Sequence, residues 1–391
     1  MSEWKALSSI TSKIGSGSTP RGGNSVYSDS GISFIRSQNV LDMDFSTENL
    51  AFINDNQAEK LNNVIVEKND ILLNITGDSI ARCTVVPEEI LPARVNQHVS
   101  IIRCKNTEES KYVMYYLQYM KKYLLQISKV GGTRNALTKE AIGKLPIKLS
   151  DDCNKISKIL DNIDQKIQIN NQINQELEDM AKTLYDYWFV QFDFPDQNGK
   201  PYKSSGGKMV YHPELKREIP EGWGVARLGE LQITTGKRDA NFGTENGKYD
   251  FWTTSNNPIK SDEFSFEGKA ILIAGNGNFY VNFTEGKFEA YQRTYVIQSE
   301  DENMLIFMYM ACLQSVEKLR KGSNGSIIKY ITIGDVNNIV SPYNKKVVDE
   351  FVKVYSPLID LISKNKRQNQ ELTQLRDWLL PMLMNGQVKV E

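Results

Sequence analysis

Asn174-Gln175-Glu176-Leu177 returns as Asn369-Gln370-Glu371-Leu372, an offset of 195 positions. Leu117-Gln118 returns as Leu313-Gln314, and Gln97 as Gln292, at nearly the same offset. A repeat this long is a duplicated domain and excludes a solenoid. Each tetrapeptide sits in a long helical pattern. In the first, Ile156, Ile159, Ile163, Lys166, Asn170, Ile173, Leu177, Met180, Leu184 and Tyr187 step by three and four alternately. In the second, Phe351, Val354, Leu358, Leu361, Asn365, Gln368, Leu372, Leu375, Leu379 and Met382 keep the same steps, each 195 positions on. This is the heptad pattern of helices packed side by side. Two separate amphipathic helices are the plainer alternative.

Asn170 and Asn365 interrupt the seam at matched places. A buried Asn lowers seam stability but fixes register, because it needs a polar group opposite. Helices over roughly 151–189 and 346–384, crossing antiparallel at their midpoints, would bring Asn170 to Asn365. Pro357 lacks an amide proton and is expected to start or kink the second helix.

Before each helix lies a mixed α/β stretch. In the first, Ile32 to Ile35, Ile71 to Ile75 and Val99 to Ile102 read as short strands between Gly, Asn and Asp turns. A helix near Lys111 to Ser128 follows. The second repeats the plan with Ala270 to Ile273, Tyr295 to Ile297 and a helix from Met304 to Lys321.

The chain has 391 residues, 40% hydrophobic and 24% charged, enough for two or three domains with real cores. No signal peptide or membrane span is evident, and the reading is a cytoplasmic protein. Cys83, Cys104, Cys153 and Cys312, with His98 and His212, have no zinc spacing and read as reduced thiols; no metal site is expected. Net charge is −1, which argues against nucleic-acid binding unless the charge is unevenly placed. It is uneven: Lys111 to Lys148 holds seven more basic than acidic residues, and Glu317 to Lys329 is basic at the equivalent place in the repeat. A solvated helix face is the alternative reading of either patch.

Between the halves, Phe192-x-Phe194-Pro195, Gly199-x-Pro201-Tyr202-Lys203-Ser204-Ser205-Gly206-Gly207 and Ile219-Pro220-x-Gly222-Trp223 form a loop-rich connector without periodicity. This stretch resembles the linker of type I restriction–modification specificity subunits, and the domain order along the whole chain agrees. The resemblance implies an α+β fold: two α/β target-recognition domains in pseudo-two-fold arrangement, separated by an antiparallel coiled coil of two long helices. The expected boundaries are 1–149 for the first recognition domain, 150–191 for the first helix, 192–219 for the connector, 220–343 for the second recognition domain and 344–391 for the second helix. It further implies that each domain reads half of a split double-stranded DNA target and that the helices dock two methyltransferase subunits. Those partners would use S-adenosylmethionine, and motor/restriction subunits would use ATP and Mg. The chain itself would bind no cofactor.

No catalytic motif contradicts a non-catalytic subunit. Ser205-Gly206-Gly207-Lys208-Met209 fails as a phosphate loop at both ends. Asn257-Pro258-Ile259 stops short of the double proline of amino-methyltransferases. His98 has no nucleophile partner in sequence. A stand-alone DNA-modifying enzyme and a coiled-coil scaffold are the competing classes.

DNA reading needs Lys, Arg and small donors for phosphates, Arg or Lys for guanine, and Asn or Gln for adenine. Matched polar loops supply them. The first half offers Ser18, Thr19 and Arg21; Arg36, Gln38 and Asn39; Thr76; Gln97 and His98; and Thr133, Arg134 and Asn135. The second offers Lys237 and Arg238; Asn256; Asn276; Gln292 and Arg293; and Lys321 and Asn324. Gly77 and Gly275 either let the backbone approach DNA or serve strand-end turns. Replacing Arg134 by Ala is expected to weaken binding to the first half-site. Tyr185, Trp188, Phe189, Trp378 and Leu380 are too apolar for bare helix surface, and read as core or as a docking face.

Overall fold

The computed structural model describes residues 3–20, 22, 26–129, 135–245, 247–323, 329–388 and 390. The chain divides into two compact units, which do not follow chain order. Unit 1 is Met1–Asn171 with Lys366–Glu391, and unit 2 is Gln172–Asn365. Each long helix therefore contributes one half to each unit.

Unit 1 contains two four-stranded sheets. In the first, Thr11–Ser16, Val99–Cys104, Ile71–Asn74 and Cys83–Val85 lie in that order, all antiparallel. In the second, the order is Ala51–Ile53, Ile32–Ile35, Ala93–Val95 and Ile65–Val66, with the middle pair parallel. Glu3–Ala6 pairs with Pro146–Leu149 outside both.

Unit 2 repeats this strand for strand. Gln232–Thr235, Thr294–Gln298, Ala270–Ala274 and Val281–Thr284 form the first sheet. Ile259–Ser261, Tyr249–Trp252, Lys287–Ala290 and Phe266–Glu267 form the second, again with a parallel middle pair. Gly224–Arg227 pairs with Val340–Tyr343. The sequence reason is plain at the inner strands. Every side chain of Ile71–Asn74 and of Ala270–Ala274 is buried, as a run of apolar residues covered on both faces must be.

The two long helices span Cys153–Tyr185 and Lys345–Asn385. The second runs unbroken through Pro357, so the helix does not start there. In unit 1 the helices are antiparallel: Asn170 bonds Asn369 while Asp164 bonds Arg376. In unit 2 Asn365 bonds Asn174 while Trp188 packs on Phe351, the same direction.

The inward-facing stripe corrects half of the expected seam. It runs through Ile156, Leu160, Ile163, Ile167, Asn170, Asn174, Leu177, Ala181, Leu184 and Trp188, none of them exposed. Its counterpart in the second helix runs through Phe351, Tyr355, Leu358, Ile362, Asn365, Asn369, Leu372, Arg376, Leu379 and Leu383, each 195 positions on. Lys166, Met180, Tyr187, Val354, Leu361, Gln368 and Leu375, placed in the seam by their spacing, are exposed. Each true seam residue lies one position further along.

Asn170 and Asn365 are buried as expected, but their bonds go elsewhere than to each other. Asn170 Nδ2 donates to Gln368 Oε1 and to Asn369 Oδ1, each at 2.8 Å. Asn365 Nδ2 donates to Asn174 Oδ1 at 2.9 Å. The second Asn of each seam, part of the repeated tetrapeptide, is the polar group opposite.

The connector is not a loose loop. Met209–His212 and Arg217–Pro220 form a hairpin. Phe192 and Phe194 are buried beside Trp223, and the Tyr202 ring stacks on Phe194 at 4.8 Å. Asp193 accepts from the Ser204 amide at 2.7 Å and from its hydroxyl at 2.6 Å. Those donors hold its carboxyl below the usual range. Tyr185, Trp188, Phe189 and Leu380 are core, whereas Trp378 is 57% exposed. All four cysteines are buried and free, and burial pushes each thiol upward, Cys104 to about 11.

Candidate nucleic-acid interface

In unit 1 the polar loops meet at one end of the first sheet. Ser16 pairs with Ser100, and Asn74 with Val99. The segment after Ser16, the turn before Val99 and the turn after Asn74 are therefore neighbours. Ala136 bridges Thr76 and brings Asn135 to the same end. The Asn96 amide donates to Ile35 O at 3.0 Å, and Asn74 Nδ2 to Ser37 O at 2.8 Å, which brings in the segment 36–39.

Unit 2 does the same. Thr235 pairs with Tyr295 and Ala274 with Thr294. The Gln292 amide donates to Arg238 O at 2.9 Å, Asn276 bridges Tyr330, and the Thr294 hydroxyl donates to Thr253 O at 3.1 Å. Two glycines permit this closeness. A Cβ on Gly17 would clash with the carbonyl oxygens of Val95 and Asn96. One on Gly236 would clash with those of Ala290 and Tyr291, the same places 195 positions on. Sequence reading missed both. Gly77 and Gly277 take φ +79° and +78° in the matched turns, a conformation that favours glycine. Gly275 packs against the Arg293 carbonyl of its own unit.

Four of the candidate side chains in unit 1 form one chain of hydrogen bonds. The Thr19 hydroxyl donates to Gln97 Oε1, Gln97 Nε2 lies 3.1 Å from His98 Nε2, and His98 Nδ1 lies 2.6 Å from the Thr76 hydroxyl. A Gln amide nitrogen only donates. His98 Nε2 therefore accepts, and its proton sits on Nδ1, directed at Thr76. Ser18 joins through its amide, which donates to Val95 O at 3.1 Å.

Other candidates are committed to holding the loops. Asn39 is 0% exposed; Nδ2 donates to Ser46 O and Glu48 O, and Oδ1 accepts from the Arg36 amide. It is a brace, not a base contact. Arg36 donates to Asn49 O and lies over the Tyr27 ring. Exposed Gln38 reaches the same carbonyl at 3.5 Å. Arg238 is ion-paired to Glu263 and to fully buried Glu289 and stacks over Phe242, so its charge is already answered.

The basic run of the first half is partly neutralised as well. Lys111 pairs with Asp161, Lys121 with Asp42 and Lys144 with Glu140. In the second half Arg320 pairs with Glu317. Asn135, Asn256, Gln292, Arg293, Lys237 and Lys321 are exposed, and Lys237 sits 5.5 Å over the Phe266 ring. Among the described residues the Arg293 guanidinium has no polar partner. Asn276 Oδ1 is buried and unpaired among them. Arg21, Thr133, Arg134 and Asn324 lie outside the described residues.

Sheet-end loops of this composition offer hydrogen-bond donors, acceptors and positive charge. The family model for the type I restriction modification DNA specificity domain matches residues 2–179 and again 220–374. The chain belongs to that family. This specificity subunit is 33% identical over 186 residues to the EcoDI specificity subunit of Escherichia coli, covering 44% of this chain and 40% of that one. It is 28% identical over 337 residues to the MjaIX specificity subunit of Methanocaldococcus jannaschii, covering 77% and 74%. Its fold is similar to the crystal structure of a type I restriction–modification S subunit from M. genitalium, with TM-score 0.58, 14% identity and coverage of 98% and 96%. No helix among the described residues is long and apolar enough to cross a membrane.

Proposed function

We propose that this specificity subunit reads a bipartite, asymmetric double-stranded DNA target and performs no chemistry itself. The observation that carries the reading is the convergence of matched polar loops at the same sheet end in each unit, with different residues at the tips. Where unit 1 presents Gln97 and His98, unit 2 presents Gln292 and Arg293. Shared construction makes both units readers; unlike tips make the half-sites differ. Helices of 33 and 41 residues are about 50 and 60 Å long. That exceeds one DNA turn of about 34–36 Å, so unread base pairs separate the half-sites.

The long helices also dock two methyltransferase subunits. Val354 and Leu361 in unit 2, and Leu375 and Trp378 in unit 1, are exposed apolar residues on one helix; an uncovered apolar stripe marks an interaction face. In the assembled cytoplasmic complex the methyltransferases use S-adenosylmethionine, and motor subunits use ATP and Mg. Methylome sequencing of cells expressing this chain with its partners tests the reading. Methylation at one split motif with unlike halves supports it. A continuous or palindromic motif, or S-adenosylmethionine binding by the isolated chain, contradicts it.

A further inference from the structure

Asp164 is buried in unit 1 between two donors from different parts of the chain. Arg376 Nη1 donates to Oδ1 at 2.7 Å, and the Tyr115 hydroxyl donates to Oδ2 at 2.5 Å. Burial lifts the carboxyl above its ordinary range, against the pull of both donors. The repeat supplies a direct comparison. In unit 2 the position matching Asp164 is Ile359, that matching Arg376 is Ala181, and that matching Tyr115 in the aligned Leu-Gln helices is Ala311. All three are buried in one apolar core. A polar triad on one side is thus replaced, at every member, by an apolar triad on the other.

The paired central asparagines do not by themselves tell one long helix from the other, although the added Asn170–Gln368 bond has no counterpart because Ile173 stands at the matching place. Asn170 to Asn369 and Asn365 to Asn174 are the same bond under the 195-residue shift. Two first helices, or two second helices, paired antiparallel would keep those bonds. They would not keep the triad. With two first helices, each Asp164 would face Ala181; with two second helices, each Arg376 would face Ile359. In a pair of first helices Asp164 keeps only Tyr115, and in a pair of second helices Arg376 keeps only its helix neighbour Asp377, 3.0 Å away. Either like pair loses the Asp164–Arg376 bonds and sets two buried charged groups against apolar side chains, which is costlier than either a matched pair or an apolar contact.

We infer that Tyr115, Asp164 and Arg376 are a pairing code: they restrict the first long helix to the second and exclude association of like halves. The consequence for recognition is that two unlike readers are always held together. The inference concerns pairing alone and stands or falls apart from what the loops bind.

The test uses the full chain with a protease site inserted between Asn198 and Gly199, an exposed turn tip. After cleavage, differently tagged preparations are mixed and equilibrated, and pairs are counted by native mass spectrometry. The wild-type chain should give mixed pairs almost alone, each lost Asp164–Arg376 pair disfavouring like pairs by on the order of 100-fold. The variant Tyr115→Ala/Asp164→Ile/Arg376→Ala makes the two sides alike and should raise like pairs toward the random proportion of one half. Asp164→Asn/Arg376→Gln, which keeps shape and removes charge, should move the same way if the triple variant does not fold. Random pairing in the wild type overturns the inference. So does undiminished selectivity in the variants.

Discussion

Asn365 donates from Nδ2 to Oδ1 of Asn174 at 2.9 Å, inside a helix seam where both side chains are buried. Removing one partner leaves the other without a bond, which is worse than removing both. Asn365→Leu should therefore cost about 1–3 kcal/mol. Asn174→Leu/Asn365→Leu should recover most of it. Urea unfolding midpoints of the two variants decide this; a double variant as unstable as the summed singles contradicts it.

Gly17 and Gly236 let two loops approach backbone closely. Gly17→Ala or Gly236→Ala pushes a methyl group into carbonyl oxygens that cannot rotate away, and should cost about 1–3 kcal/mol or more. Gly15→Ala faces open space and serves as the control. Thermal unfolding separates them: equal losses at Gly15 and Gly17 would count against the close approach.

Asp193 ties the connector to Ser204 and has its pKa depressed below the ordinary value near 3.8 by the Ser204 hydroxyl and amide. A carboxylate with a depressed folded-state pKa stabilises the fold above its unfolded pKa. That contribution disappears as pH falls through the folded value. The stability gap between wild type and Asp193→Asn should be constant near neutral pH and close in acid. A gap unchanged well below pH 3.8 sinks the assignment.

Leu361 and Leu375 are 41% and 43% exposed. Leu361→Glu/Leu375→Glu should change stability by no more than about 0.5 kcal/mol per site, while preventing co-purification with the methyltransferase subunit. Retained co-purification places docking elsewhere.

The repeat, the strand and helix plan and the long helices were legible because the same order of patterns recurs, with the long helices matching under a shift of 195 positions. The phase of the seam was not. Met180, Val354, Leu361 and Leu375 are apolar but exposed, so two stripes one position apart competed, and apolar content alone did not pick the buried one. The partners of Asn174 and Arg376 lie on the other helix, beyond the reach of local spacing. The same limit applied at the loops. Asn39 and Arg238 carry the right chemistry for DNA, but the backbone of the following turn engages Asn39, and acidic residues 25 and 51 positions away engage Arg238. The connector lacked periodicity because its aromatic residues Phe192, Phe194 and Tyr202 pack on one another and on Trp223 rather than along one helix face.

The central claim is that the two units read two separated stretches of one duplex. Hydroxyl-radical footprinting of the assembled methyltransferase complex on its methylated motif measures this directly, with Arg293→Ala beside the wild type. The account predicts two protected blocks separated by an accessible gap, with protection weakened only at the block read by unit 2 in the variant. A single continuous block, or equal weakening of both, contradicts it.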